Sequence, residues 1–155
     1  MSIDELDGRL LVTMRANPRI GLTELARLLG VARGTVQARV EKLTARGVIA
    51  DFGPTVTPEG AGYPILAFVS LQIAQGRLGE AVRALEPLPE ILEVYGTSGQ
   101  ADLLCRVVAR STSDLQEIIA RILASPAVQR TDTTIALSVQ VPYRIEPLLR
   151  AAADA

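Results

Sequence analysis

The apolar residues at the start of the chain recur at the spacing of amphipathic helices. One face of the first predicted helix carries four of them, Ile3, Leu6, Leu10 and Met14. Ser2 and Glu5 have the spacing of a capping box, and Asn17-Pro18 predicts the end of this helix. The pattern therefore predicts an N-terminal helix that buries one side.

Two further helices are predicted within the first 47 residues. The second starts at Thr23, a favourable N-cap, and stops at Gly30, because glycine tolerates a left-handed turn. The third spans about residues 33–46 and closes at Gly47, and a short extended piece, "VIADF", follows. The inward stripe of the third helix is formed by Val36, Val40 and Leu43. A short helix, a glycine turn and a longer helix are typical of a helix-turn-helix, although many proteins without a DNA role also join two helices through a glycine.

The period of the pattern changes after a segment rich in glycine and proline, "GPTVTPEGAGYP" at 53–64, which predicts an extended linker. Beyond it, apolar runs predict strands at 65–73, 91–98 and 102–110, and a final strand or pair of strands at 128–141. Helical spacing predicts helices at 77–86 and from a Ser113–Gln116 cap onward. The order βαββαβ is that of a ferredoxin-like sheet. Because helices cover only one face of such a sheet, the other face is expected to meet a second copy of the chain.

These elements predict an α+β chain in three parts. A winged-type helix-turn-helix domain of three helices occupies residues 1–52, the linker 53–64, and a ferredoxin-like domain 65–155. Neither membrane insertion nor secretion is indicated, since no apolar run is long enough for a membrane span and "MSIDELDGRL" lacks a signal-peptide core. A cytoplasmic protein is expected.

Charge is unevenly distributed along the chain, although the net charge is only −1. Residues 9–46 hold eight basic and two acidic side chains, a net charge of +6, whereas residues 1–8 carry −3 and residues 47–155 carry −4. A cationic segment of this kind suits contact with phosphates.

Several kinds of chemistry are disfavoured by composition. The chain contains no histidine, which removes the most common general base and metal ligand. Its single cysteine, Cys105, lies in an apolar run and is expected to be a buried core residue. No catalytic residue, cofactor or metal site is expected.

The outward face of the third helix is the candidate DNA-binding surface. Gly34 and Ala38 are small, so the helix can approach a duplex closely. Arg33, Thr35 and Gln37 have the reach to contact base edges. Arg39, Lys42 and Arg46 are placed for phosphates. From the pattern alone, an ordinary solvated face explains these residues equally well.

The sequence resembles the Lrp/AsnC family, the feast/famine transcriptional regulators. The resemblance is carried by "IDELDGRLL", by "NPRIGLTELARLLGVARGTVQARVEKLTARGVI", by "SGQADLL" and by "TDTTIAL". It implies a DNA-binding domain joined to a ligand-sensing (RAM) domain, with duplex DNA as a partner. It also implies dimers formed through the sheets that assemble into tetramers or octamers, with small effectors, mostly amino acids, bound between dimers. Ala32 departs from the serine or threonine that the family places at the N-cap of the third helix, which predicts a loose first turn.

The family's glycine-to-aspartate turn matches Gly99 and Asp102 and suggests where an effector binds. Backbone N–H groups of the turn, from Thr97 through Gly99, Gln100 and Ala101, could bind a carboxylate, and Asp102 could pair with an ammonium group. Hydroxyl groups on a neighbouring strand are supplied by Thr131, Thr133 and Thr134. Alternatively, Gly99 only makes the turn and the threonines serve strand packing.

Two other functions remain open at this stage. Some proteins that resemble the family in both domains act in tetrapyrrole decarboxylation with histidines implicated, and the absence of histidine disfavours this enzymatic reading. An architectural DNA-binding protein that needs no small ligand is the other alternative.

Overall fold

The computed structural model describes residues 3–153, which form two compact units. One unit contains the chain up to Pro54 together with residues from Val141 onward, and the other contains Thr55–Gln140. This grouping differs from the single domain expected over residues 65–155, because the end of the chain packs with the N-terminal helices.

The first unit begins with the three predicted helices. They are α1 (Glu5–Ala16), α2 (Leu22–Leu29) and α3 (Arg33–Ala45). Their apolar faces meet in one core whose most buried side chains are Leu10, Leu25, Val36 and Leu43. Gly30 and Gly47 end α2 and α3 with φ of 70° and 69°, left-handed values that favour glycine. Both predicted stop signals are confirmed.

The first two helices begin at residues other than those predicted. Asp4 caps α1 and exchanges hydrogen bonds with Asp7, while the predicted box starts at Ser2, which lies outside the described residues. Gly21 precedes α2 without a side-chain cap, so Thr23 lies inside the first turn. After α3, residues 46–64 contain no strand, and a winged-type hairpin is not formed there.

The second unit has the predicted βαββαβ order, which is confirmed. Its elements are β1 (Ile65–Ile73), α4 (Leu78–Leu85), β2 (Ile91–Gly96), β3 (Leu103–Ala109), α5 (Thr112–Leu123) and β4 (Val128–Ala136). The four strands form an antiparallel sheet in the order β2-β3-β1-β4. Ser111, and not Ser113, caps α5, accepting a hydrogen bond from the backbone N–H of Asp114.

The two faces of this sheet have different environments. Alternate residues of β1, namely Ala67, Val69 and Leu71, are fully buried in one core with side chains of α4 and α5. Cys105 of β3 belongs to this core as expected, and burial raises the pKa of its thiol to about 11. The other face carries Phe68 of β1 opposite Arg106 of β3, and Arg106 pairs with Glu93 of β2 at 3.1 Å. Phe68 is exposed, so this face lacks a helical cover.

A helix that the sequence did not predict, α6 (Glu146–Ala153), completes the first unit. Leu149 of α6 is buried in the N-terminal core, and Ile145 packs beside it. The helix lies so close to α1 that a Cβ atom at Gly8 would stand 2.8 Å from the carbonyl oxygen of Leu149. Gly8 therefore permits the contact between α1 and α6.

Candidate nucleic-acid interface and effector site

The outward face of α3 is exposed because the opposite face packs in the core. Val36 and Leu43 are 1% and 0% exposed and anchor α3 in the core. Six of the eight candidate DNA-binding residues are exposed on this helix: Arg33, Gly34, Thr35, Gln37, Ala38 and Lys42. A Cβ atom at Gly34 would meet no atom within 4 Å, so the surface there is open. The face combines two small residues with long polar side chains, as the sequence predicted.

Arg39 and Arg46 are the two exceptions because both are partly buried, and the guanidinium group of Arg39 is engaged inside the unit. Its Nη1 donates to Oδ1 of Asp7 at 2.9 Å and also pairs with Asp4. The Asp7 side chain is only 5% exposed. The hydrogen bond from Arg39 is the main reason that the pKa of Asp4 lies below its usual value, and the bond to Asp4 likewise raises the pKa of Arg39. Arg39 thus fixes α3 against the start of α1.

The first turn of α3 lacks a side-chain cap, as the alanine at position 32 predicts. Only backbone bonds close it, with the N–H groups of Thr35 and Val36 donating to the carbonyl of Ala32 at 3.0 and 3.2 Å. Uncapped N–H groups at a helix start favour phosphate oxygens, because the helix dipole is positive there. Gln37 donates to Glu41 at 3.0 Å, an exposed contact that a base edge can replace.

The turn between β2 and β3 is held against the end of β1. Asp102 accepts a hydrogen bond from the backbone N–H of Ile73 at 2.7 Å through one carboxylate oxygen, Oδ2. The Asp102 backbone N–H donates to the carbonyl of Leu71 at 2.9 Å. Thr97 donates its hydroxyl to the carbonyl of Ala101 at 2.7 Å. Gly99 has a φ of 127°, so the turn needs glycine at this position.

The bonds described leave part of this turn available. Within residues 3–153, no hydrogen bond is formed by the backbone N–H groups of residues 98–101 or by Oδ1 of Asp102. Successive backbone N–H groups in a turn can bind an anion. The N–H groups of residues 98–101 and Oδ1 of Asp102 thus stay available as the suggested donors and acceptor, whereas the Thr97 N–H, which was also suggested, donates to the carbonyl of Asp102 at 3.0 Å.

The three candidate threonines of β4 do not converge. Thr131 and Thr133 lie opposite Leu71 and Val69, which point towards the helices, whereas Thr134 lies opposite Phe68 on the other face. The strand alternation separates them, since residues 131 and 133 share one face of β4 and residue 134 lies on the other. No single effector can contact all three hydroxyls on one face.

Arg130 is a residue that the sequence analysis missed. It lies opposite Gln72 of β1, and the side-chain amide of Gln72 donates to the carbonyl of Gln100 at 3.2 Å. Arg130 is exposed at the same end of the sheet as the turn. Only the pairing of β1 with β4 brings this cation to that end, and the sequence signals neither the pairing nor its register.

Across residues 3–153, histidine, cysteine, aspartate and glutamate side chains form no group of three or more that could hold a metal ion. None of the helices in this range is long and apolar enough to cross a membrane.

Comparison with sequence families identifies both parts of the chain. The AsnC-type helix-turn-helix domain matches residues 3–44, and the Lrp/AsnC ligand binding domain matches residues 66–145. Regulatory protein AsnC of Escherichia coli is 33% identical over 147 residues, covering 94% of this chain and 97% of that protein. HTH-type transcriptional regulator FL11 of Pyrococcus abyssi is 32% identical over 137 residues, covering 88% of this chain and 91% of FL11.

Solved structures agree with this assignment. The structure of Escherichia coli AsnC superposes with a TM-score of 0.88 at 32% identity, covering 95% of this chain and 100% of AsnC. A feast or famine regulatory protein from M. tuberculosis, complexed with L-methionine, superposes with a TM-score of 0.82 at 29% identity, covering 92% and 97% of the two chains. The resemblance seen in the sequence is confirmed, and the chain belongs to the Lrp/AsnC family of helix-turn-helix transcriptional regulators.

Proposed function

We propose that this chain regulates transcription by placing α3 in the major groove of duplex DNA and by responding to an amino acid. The observation that carries the proposal is the face of α3, where small and polar residues are exposed while Val36 and Leu43 anchor the helix. A second helix held this way can enter the groove with its N-terminal half towards the bases.

The residues of α3 have different proposed roles. Arg33, Thr35 and Gln37 read base edges, since Arg suits guanine and Gln suits adenine. Lys42 and Arg46 contact phosphates, which position the protein without reading sequence. Arg39 was expected to contact phosphates as well, but its bonds to Asp4 and Asp7 favour a positioning role.

The proposed effector is a small molecule such as an amino acid, bound at the turn between β2 and β3. The N–H groups of residues 98–101 and the exposed Arg130 suit its carboxylate, while Oδ1 of Asp102 suits its ammonium group. The relative from M. tuberculosis that was solved with L-methionine supports an amino acid as the class of ligand.

Oligomer assembly is the proposed link between effector and DNA. The sheet face around Phe68 is expected to meet the same face of a second copy, and dimers to assemble into tetramers or octamers. An effector shifts such an equilibrium only by binding one assembly better than another. The protein is expected to act in the cytoplasm, where bacterial and archaeal DNA is found.

Binding to duplexes selected from a random-sequence pool tests the DNA-binding proposal, with affinity measured by fluorescence anisotropy over a range of salt. Arg33→Ala is expected to cost about 1–3 kcal/mol on the selected duplex and to relax the base preference at one position. Lys42→Ala should weaken binding to all duplexes alike. It should also reduce the slope of the logarithm of affinity against the logarithm of salt concentration, the salt slope, by about 1.

Arg83→Ala is the matched control, because it removes an exposed charge from α4 in the other unit and should leave binding unchanged. Binding that ignores salt, or that falls equally in all three variants, contradicts the proposed interface. Sedimentation and DNA affinity that stay constant across a panel of L-amino acids would argue for a regulator that needs no such ligand.

A further inference from the structure

One positive charge on the outward face of α3 differs in its chemistry from all the other cations of the chain. The chain has 16 basic residues, and Lys42 is the only lysine among them. A lysine amine can lose its proton and act as a nucleophile, whereas an arginine guanidinium group stays protonated in proteins. Lys42 is therefore the one basic side chain on this face whose charge an acyl group can remove.

The amine of Lys42 is accessible in the structure. Lys42 is exposed on α3, and within residues 3–153 no hydrogen bond or salt bridge engages its ammonium group. The neighbouring residues one turn before and after it, Ala38 and Ala45, are exposed and have side chains that end at Cβ. A small acyl donor can therefore reach the amine without any opening of the fold.

The charge of Lys42 is not needed to hold α3 in place. The salt bridges that fix α3 against the start of α1 are formed by Arg39 with Asp4 and Asp7. The pKa of Asp4 is lowered mainly by the hydrogen bond from Arg39, and the charge of Lys42 is the smallest of the causes. Removal of this charge should therefore leave the helix docked and affect only what the exposed face binds.

We propose that Lys42 is a modification site at which acetylation by an acyl phosphate or an acyl thioester weakens DNA binding. The ammonium group first releases one proton to water, and the neutral Nζ then attacks the carbonyl carbon of the donor. An N–C bond forms while the C–O bond to phosphate, or the C–S bond to the thiol, breaks. The leaving group takes the bonding electron pair and the second proton from Nζ, so that a neutral amide remains. The inference rests on the proposed phosphate contact of Lys42 and adds a way of regulating it.

The size of the effect follows from counterion release. Each phosphate neutralised on duplex DNA contributes about 0.9 to the salt slope, so acetylation should reduce the slope by about 1 and the affinity about tenfold at 0.1 M salt. The same contact works in the other direction, because a bound duplex covers the amine. Saturation with DNA should therefore slow the acetylation of Lys42.

Treatment of the full chain with acetyl phosphate in one arm and acetyl-coenzyme A in the other tests the site. Mass spectrometry of the intact chain and its peptides locates the acetyl group, and fluorescence anisotropy on the selected duplex compares treated and untreated samples of each variant. Lys42→Arg has no side-chain amine, so treatment should not change its affinity. The double variant Lys42→Arg/Arg83→Lys moves the lysine to an exposed position of α4 in the other unit. It should be acetylated at position 83 without any change in DNA binding.

Donor concentration is raised until position 83 of the double variant is modified. Acetylation of Lys42 that weakens binding about tenfold in the wild type alone supports the proposal, and the arm that reacts identifies the donor. The modification site is overturned, and the DNA-binding proposal left standing, if Lys42 stays unmodified under these conditions, if the acetylated wild type binds as tightly as before, or if Lys42→Arg loses as much affinity on treatment. An untreated wild type that binds no duplex in a salt-dependent way overturns both.

Discussion

The contact between α1 and α6 makes a sharp prediction for the variant Gly8→Ala. An alanine Cβ at this position would lie 2.8 Å from the carbonyl oxygen of Leu149 and 2.9 Å from the backbone nitrogen of Ala153. Both neighbours are backbone atoms, so no side-chain rotation can relieve the clash. The new methyl group must push α6 away from α1 or displace it entirely.

The expected cost follows from three terms. Alanine in place of a helical glycine favours α1 by about 1 kcal/mol. Overpacking of a tight contact costs about 1–3 kcal/mol. The cost cannot exceed the value of docking α6, whose main buried side chain is Leu149, worth about 1.5–3 kcal/mol. Because both backbone contacts are shorter than 3.0 Å, the overpacking cost is taken at the upper part of its range, about 2–3 kcal/mol. Subtracting the helix gain of about 1 kcal/mol, we expect the free energy of unfolding of this unit to fall by roughly 1–2 kcal/mol.

Two other helical glycines provide matched controls. A Cβ atom at Gly34 of α3 would meet nothing within 4 Å, and one at Gly79 of α4 would meet only Nη1 of Arg83 at 3.7 Å. Alanine at these positions should leave stability unchanged or raise it by up to about 1 kcal/mol. The same substitution thus changes stability in opposite directions, because the atoms around the glycine differ.

Urea unfolding followed by far-ultraviolet circular dichroism measures the stability, and amide exchange of residues 146–153 shows where the change falls. An eight-residue helix is too short to persist alone in water, so a displaced α6 should lose its protection. A Gly8→Ala variant that is as stable as the wild type, with α6 still protected, would refute the contact on which this reasoning depends.

Two further predictions concern ion pairs. Arg39→Ala leaves the buried Asp7 without its cation, so it should lower the free energy of unfolding by about 1–3 kcal/mol. The salt dependence of DNA binding should stay unchanged. A salt slope reduced as much as in Lys42→Ala would contradict the positioning role of Arg39. Hydrogen bonds from the guanidinium group and then the backbone N–H of Arg110 lower the pKa of Asp114 from 3.8 to about 2. Its contribution to stability is therefore complete above pH 3.8 and is lost as the pH falls towards 2. Acid unfolding of Asp114→Asn should lack this step, and identical acid profiles for the variant and the wild type would contradict it.

Much of the fold is encoded in local signals that the sequence displays. Helical spacing, together with Gly30 and Gly47, was sufficient to place α2 and α3 to within a few residues. Cap positions were less predictable, since Ser111 and Ser113 are equally good caps by composition. Ser111 is the cap because its backbone is extended, with φ of −155°, where β3 has ended and α5 has not begun. That backbone path depends on the sheet and not on the serine.

The end of the chain shows why alternation alone misplaces a strand boundary. Residues 128–141 have one continuous strand pattern, but β4 stops at Ala136 because its partner β1 begins at Ile65, directly after Pro64. A strand continues only while a neighbour offers a ladder. α6 was missed for a related reason, since a helix of eight residues depends on docking against α1 and carries little signal of its own.

The candidate sites depend on long-range pairing even more than the fold does. Counting charges gave residues 9–46 a net +6 and residues 1–8 a net −3, which places a cationic surface beside an acidic segment that would repel DNA. In the structure, however, Asp4 and Asp7 form salt bridges with Arg39. Arg39 is therefore not available on the DNA-binding face, and the paired carboxylates of Asp4 and Asp7 repel phosphates less. The acidic start of the chain thus orients α3, and Arg33 and Lys42 remain on the exposed face to meet the duplex.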